Sequence, residues 1–391
     1  MKTGICKRNI YLMYAICFFQ GIVLYASIST LYRQSRGLSL SEYAVIDGFS
    51  YLFQLGFEIP FGMLADRFGY KKTLIVSNGL YLVSKIIFWQ AFGFTSFLLE
   101  RLFFSMALAG LSGLDVSILY LSCGKQDSQK IFARYGAFGT AGMLTGCLIF
   151  TAFLSTNYSA TALGTVIAYA VAFFLSFFLE NVSEEMPEAH RLSGSRLFEV
   201  LRVTLKDRRF LLFILAEALV AYGTWAVSVM LNQGKYISLG LTEQHIGMIE
   251  LILAGLALTG AWSAFLTKKL GFKRFAVLGI GSLALSAVVM GLTGNTAVAI
   301  FCGAAVEVAY GLLQPLLQEL RSKRVSVSDR ATQLSVYAMI GECFSFGLSL
   351  LMSLLAGQSA IIPFFFCGGL CAAGIFLFLY CYRDVRTLED P

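Results

Sequence analysis

Residues 62–72 read Gly62-Met-Leu-Ala-Asp66-Arg67-Phe-Gly69-Tyr70-Lys71-Lys72, and residues 264–274 read Ala264-Phe-Leu-Thr-Lys268-Lys269-Leu-Gly271-Phe272-Lys273-Arg274. Both stretches set one glycine in a short basic turn and follow it with an aromatic residue and two cations. The same offset of 202 residues pairs Gly139 with Gly341. Such a repeat predicts a chain of two similar halves, the arrangement expected of transporters whose halves rock against each other.

On both sides of each copy the chain is a succession of apolar runs. A helix needs about 20 mostly apolar residues to cross a bilayer. Runs of this kind occupy 10–32, 43–64, 73–93, 95–122, 131–154, 159–180, 210–233, 244–266, 275–293, 296–319, 331–356 and 359–382. The expected fold is an all-α membrane protein with about 12 transmembrane helices in two pseudo-symmetric six-helix bundles. The one long polar stretch gives the division: an N-terminal bundle in 1–180, a cytoplasmic linker in 181–209 and a C-terminal bundle in 210–391. The linker contains Glu184, Glu185, Pro187 and Glu188. Within it Leu197, Val200, Leu201 and Leu205 recur at helical spacing among Arg196, Arg202 and Lys206, which predicts an amphipathic helix on the cytoplasmic surface.

Composition supports the membrane reading. Of 391 residues, 57% are hydrophobic and 14% charged, whereas soluble domains carry nearer a quarter charged residues. The formal charge of +7 is mostly a topology signal. Odd-numbered connections carry only Arg33, Arg36 and Lys235, and the termini and even-numbered connections carry most of the other basic residues, which places both termini in the cytoplasm. Nucleic acid is not an expected partner. Nine cysteines without a CxxC pair and two histidines, His190 and His245, predict no disulfide framework, metal site or cofactor. Lys7 and Arg8 precede an apolar run too long for a signal peptide, so that run is read as the first span.

The stretch from Gly62 to Lys72 resembles the loop signature of the major facilitator superfamily, with Gly62, Leu64, Ala65, Asp66, Arg67, Gly69, Lys71 and Lys72 in matching positions. Tyr70 departs from it, standing where the family has a basic residue. The span count, the linker and the second copy extend the resemblance over the whole chain. It implies the major facilitator fold, with Asp66 and the nearby cations Arg67, Lys71 and Lys72 taking part in gating between the halves. Arg101 resembles the family's intramembrane arginine motif, although Phe104 and Ser105 follow where Gln-Gly is usual. Gly136, Gly139, Gly142 and Gly146 resemble an antiporter signature without its proline, and their spacing is read as close helix packing.

Charges inside the spans mark candidate function, because an ionisable group in hydrocarbon costs about 2.5–3.5 kcal/mol on insertion scales. The spans contain Glu58, Lys85, Glu100, Arg101, Asp115, Glu217, Glu250, Glu307 and Glu342. Glu307, Tyr310, Gln314 and Gln318 lie along one face of the tenth span, and Ser335, Glu342, Ser345 and Ser349 along one face of the eleventh. Polar stripes this long predict a cavity. Glu58, Arg101, Asp115, Glu217, Glu307 and Glu342 are the candidates for proton coupling or substrate binding, with structural pairing of Arg101 to an acid on a neighbouring helix as the alternative. In the first span Gln20 and Tyr25, in the seventh Trp225, and in the tenth Tyr310 and Gln314 are candidates to line the cavity.

The expected function is a secondary active transporter of a small organic molecule, similar to bacterial drug/proton antiporters. Proton-coupled export of amphipathic or cationic compounds by alternating access, from a monomer in the plasma membrane, is the leading expectation. A proton-driven metabolite importer or uniporter and a non-transporting receptor on the same fold are the alternatives. No GxxxxGK[ST], HExxH or GxSxG motif is present, so an ATPase or membrane enzyme is not expected.

Overall fold

The computed structural model describes residues 6–123, 128–182, 194–323 and 330–386. Among these residues there is no β-strand. Ten helical stretches are long and apolar enough to cross a membrane: Lys7–Ser35, Gly93–Cys123, Ser128–Leu154, Tyr158–Phe177, Arg208–Ser238, Glu243–Leu270, Phe272–Leu292, Thr296–Arg321, Gln333–Ala356 and Ile362–Cys381. The helices Leu40–Phe68 and Tyr70–Gln90 stand where the second and third spans are expected. Both reach across about 30 Å of hydrocarbon at ~1.5 Å per residue. Asp47, Glu58 and Lys85 lower their apolar character. The spans are counted in this order, first to twelfth.

The chain divides into two compact units, unit 1 (Met1–Leu38, Phe49–Arg191, Glu243–Met248) and unit 2 (Ser39–Gly48, Leu192–Thr242, Ile249–Pro391). Within unit 1 the first span packs on the fifth and sixth, and the third on the fourth and sixth. Unit 2 repeats that pattern six spans later: the seventh packs on the eleventh and twelfth, the ninth on the tenth and twelfth. Each unit has its own apolar core, around Met13, Tyr14, Leu74 and Leu119 in the first and around Phe213, Phe275, Leu316 and Val336 in the second.

The two copies of the basic turn are one structural device. Gly69 (φ 86°, ψ 157°) and Gly271 (φ 76°, ψ 148°) each form the N-cap of a 21-residue helix, Tyr70–Gln90 and Phe272–Leu292. That backbone conformation is one that only glycine adopts without strain. The helix before each glycine runs up to it, and its amide still donates back to Ala65 or Thr267 at 3.0 Å. The turn is therefore a single residue, and Gly62, Asp66 and Arg67 are helical. The side chain of Asp66 lies outside the described residues.

The first span is broken between Gly21 and Ser29. A break inside hydrocarbon frees backbone groups that must find partners within the protein. The sixth span supplies them: Thr165 Oγ1 accepts from the Leu24 amide at 3.0 Å, and Tyr169 donates to the Gln20 carbonyl at 2.8 Å. The seventh span has a π-helical segment, Ala226–Leu231, at the corresponding place in its own half. The first span also meets the fifth at backbone distance. A Cβ on Gly142 would overlap the Phe18 carbonyl, and one on Gly139 would lie 3.0 Å from Cys17 Sγ. Around Gly136 there is open space.

In the linker, residues 183–193, with Glu184, Glu185, Pro187, Glu188 and His190, lie outside the described residues, as do the side chains of Arg196 and Leu197. The helix Gly194–Lys206 follows, with Val200 and Thr204 buried and Arg202 and Lys206 exposed, and it packs on the eleventh span. The second span starts on a capping box. The Ser39 amide donates to Glu42 at 2.8 Å, and the Glu42 amide donates to the Ser39 hydroxyl at 3.2 Å.

Two substitutions test these contacts. Thr165→Val leaves the Leu24 amide without a partner and is expected to cost about 1–3 kcal/mol. Gly142→Ala overpacks the first-to-fifth contact by a similar ~1–3 kcal/mol, whereas Gly136→Ala, in open space inside the same helix, stabilises by up to ~1 kcal/mol. Thermal unfolding of the three purified variants in detergent reads all of these effects.

Candidate functional site

The polar stripe of the tenth span opens onto a chamber of about 320 Å³ inside unit 2. Tyr310, Gln314, Gln318 and Arg321 line it from the tenth span, Glu217 from the seventh, and Glu342 and Ser345 from the eleventh. These positions recur every three or four residues along each helix, which is why one face of each carries them. Ile214, Leu317 and Tyr337 supply the apolar part of the wall.

Arg321 and Glu217 form an ion pair in the chamber. Arg321 Nε donates to Glu217 Oε2 at 3.1 Å, and Arg321 Nη2 donates to Glu217 Oε1. The planar guanidinium thus engages both carboxylate oxygens, the geometry that makes such pairs strong and directional. Of the predicted candidates, Glu217, Tyr310, Gln314 and Glu342 are brought together here. Arg321 falls just beyond the apolar run 296–319, and its signal in the sequence is the stripe itself, since it lies three residues after Gln318.

Glu307 is not in the chamber lining. It lies beside the Ser228 hydroxyl of the π-helical segment and within electrostatic reach of Glu250. Glu250 in turn accepts from Asn232 Nδ2 at 2.8 Å. Trp225 is also outside the lining, with its ring edge-on to Tyr43 at a centroid distance of 6.5 Å.

Unit 1 has a different character. Lys85 is 4% exposed, and its ammonium donates to Tyr25 Oη at 2.9 Å. The rings of Tyr25, Tyr81, Phe104 and Tyr169 surround it at 4.9–5.5 Å, so cation–π attraction replaces much of the lost hydration. Tyr25 is stacked on Phe88 at 4.0 Å. The predicted cavity residue Tyr25 is therefore part of a cage occupied by the protein's own lysine. Arg101 lies over Phe104 at 5.0 Å with its Nε 3.8 Å from the carboxylate of Glu100, its neighbour in the chain. Arg33, expected in a connection, is buried in the helix Ser29–Ser35, donates to the Ser29 carbonyl at 3.0 Å and covers Phe88 at 4.9 Å. Three cations and Glu100 thus share one buried aromatic cluster.

The remaining candidates are dispersed. Gln20 Nε2 donates to Asn78 Oδ1 at 2.8 Å. Asp115 accepts from Tyr135 at 2.9 Å and from the Val116 amide at 2.8 Å. Glu58 is half-buried and makes no hydrogen bond among the described residues. Gly62 has open space around it, and Arg67 is exposed over the Phe68 ring at 5.4 Å. Gly69, Lys71 and Lys72 line a second cavity, of about 400 Å³, with Asn181 and Val182.

A model of the Major Facilitator Superfamily matches residues 10–349. No curated protein matches the chain. Solved structures of similar fold include the nucleoside transporter NupG (15% identity, 96% of this chain and 99% of that one, TM-score 0.77). A bacterial homologue of the human lysosomal transporter Spinster (16% identity, 98% and 95%, TM-score 0.72) and a D-xylose–proton symporter (14% identity, 96% and 97%, TM-score 0.66) are also similar.

The chamber's ion pair yields a direct test. Arg321→Gln strips the Glu217 carboxylate of its counter-charge and is expected to destabilise the protein by about 1–3 kcal/mol. Glu217→Gln in the same chain should recover part of that loss, read as a double-mutant cycle in thermal unfolding.

Proposed function

The chain belongs to the major facilitator superfamily, and from that premise we propose that it is a proton-coupled secondary transporter of a small organic molecule. The observation that carries this reading is the chamber of about 320 Å³ bounded by Glu217, Arg321, Tyr310, Gln314 and Glu342. Its volume is at the lower end of the range for small-molecule sites, roughly 300–1,000 Å³. Its wall combines two aromatic rings, two amide side chains and a second carboxylate beside a neutralised ion pair. Such a wall suits a solute with several hydrogen-bonding groups and a neutral or positive charge.

Alternating access supplies the mechanism. Two six-helix bundles, 1–180 and 210–391, joined by the linker 181–209, expose the solute to one side of the membrane and then the other. Protonation of an intramembrane carboxylate changes the cost of each state, which ties solute movement to the proton gradient. The basic residues of the even-numbered connections support cytoplasmic termini, and we assign the protein to the plasma membrane as a monomer. Asp66, Arg67, Lys71 and Lys72 are assigned to gating through their match to the loop signature, and Glu58, Asp115 and Arg101 stay candidates of unit 1.

Export of an amphipathic or cationic compound is the direction the antiporter resemblance favours. The polar wall supports a second reading, a proton-driven importer of a hydrogen-bonding metabolite, as the nucleoside transporter and the D-xylose–proton symporter of similar fold illustrate. A panel of cations, nucleosides and sugars offered to proteoliposomes carrying a pH-sensitive dye separates the two. An exporter moves protons opposite to the solute and an importer with it. In either case Glu342→Gln and Gln314→Ala should lower flux about tenfold or more through lost solute contacts. Solute movement with no accompanying proton flux would make the protein a uniporter, and no solute movement at all would leave a receptor.

A further inference from the structure

Unit 2 places two half-buried carboxylates within its spans, and among the described residues no cation pairs with either. Glu250 of the eighth span accepts from Asn232 Nδ2 at 2.8 Å, and Glu307 of the tenth has the neutral Ser228 hydroxyl beside it. Each lies in the other's field. Among the described residues neither acid belongs to an ion pair, unlike Glu180 with Arg8, Glu100 with Arg101 and Glu217 with Arg321. Asn232 and Ser228 are neutral.

The third member is Tyr236. Its side chain is fully buried, and its hydroxyl has no hydrogen-bond partner among the described residues. Three helices build its position. Asn232 and Tyr236 are four residues apart on the helix Asn232–Ser238 and share a face. The hydroxyl lies against Gly303, where any side chain would displace it, and Leu253 packs at the same point. Gly303 and Glu307 share a face of the tenth span, as Glu250 and Leu253 share one of the eighth. The hydroxyl therefore sits where the faces bearing Asn232, Glu250 and Glu307 meet, in the field of both carboxylates. The other titratable groups nearby are Cys302, beside Tyr236, and Tyr310, one turn beyond Glu307. Lys235 is turned away, its ammonium donating to the Gly291 carbonyl at 3.1 Å.

Two carboxylates sharing a site out of water cannot both be ionised without a large electrostatic cost. One monovalent cation reduces the pair to a single negative charge, which Ser228, Asn232 and Tyr236 can stabilise as neutral donors. A divalent ion would call for roughly six or more oxygen ligands, more than this set offers. We propose that Glu250 and Glu307 hold one exchangeable proton between them, with Tyr236 donating to the oxygen left deprotonated, and that this pair is the coupling site of the transport cycle. The proposal rests on the reading of the protein as a proton-coupled transporter. Tyr310 joins the two sites, since it follows Glu307 by three residues and lines the chamber, so solute binding and proton release meet at one side chain.

Infrared difference spectroscopy on the full chain in lipid vesicles, titrated with acid and base and without any solute, tests the site. The expected result is a protonated-carboxyl band that disappears in a single one-proton step as pH rises. Glu250→Gln and Glu307→Gln should each move that step by about one pH unit or more, a tenfold change in proton affinity. Glu307→Asp should keep a titrating band, and Tyr236→Phe and Gly303→Ala should shift the band and its midpoint while the protein remains folded. A step unaltered in both Gln variants overturns the proposal, as does a step that moves when sodium replaces choline, which would make the pair a sodium site. Because no solute is present, an intact step together with absent solute-evoked flux counts against the transport reading alone. Flux accompanied by an unaltered step in both Gln variants counts against the site alone.

Discussion

Hydrocarbon offers neither hydrogen bonds nor counter-ions, so the polar groups that this chain places within its spans depend on the protein for their partners. The broken first span shows the constraint at the backbone. Its freed amide and carbonyl are met by Thr165 and Tyr169 of the sixth span, which fixes where those two helices lie against each other. The close approach of Gly142 to the first span then completes a backbone-to-backbone contact that larger residues would hold apart. Packing and polar satisfaction are thus one problem in unit 1.

The same constraint sorts the charged side chains into clusters. In unit 1 the cations Arg33, Lys85 and Arg101 are surrounded by aromatic faces and share Glu100. In unit 2 the acids within the spans are divided between the chamber, where Arg321 neutralises Glu217, and the Glu250–Glu307 pair, whose neighbours among the described residues are the neutral groups Asn232, Ser228 and Tyr236. A charge held by a rigid ion pair resists change, whereas one held by neutral donors can gain or lose a proton with little rearrangement. This difference is the physical basis for assigning solute contact to the first site and ion coupling to the second.

Much of the fold was legible because it depends on local pattern. Gly69 and Gly271 announced the repeat, and the structure gives them the same backbone conformation before helices of the same length. The stripe Tyr310, Gln314 and Gln318 was readable at 100° per residue and does line the chamber. What periodicity could not supply was depth and partnership. Arg33 and Arg321 stand at the ends of apolar runs, where hydropathy reads them as outside, yet both fold back onto buried partners. The cage around Lys85 is assembled from the first, third, fourth and sixth spans, and the association of Glu250 with Glu307 joins the eighth to the tenth. No stretch of sequence contains either arrangement. The break in the first span was missed for a related reason, since Thr165 and Tyr169 lie far along the chain from the groups they satisfy.

The central claim is that the transported solute occupies the chamber of unit 2. It is tested most directly by placing a single cysteine at Ser345 or Gln314 in an otherwise cysteine-free chain and measuring its alkylation rate in vesicles. A compound that evokes flux in the wild-type protein should slow alkylation at both positions in proportion to its occupancy. Equal rates with and without that compound, at concentrations that saturate flux, would contradict the account.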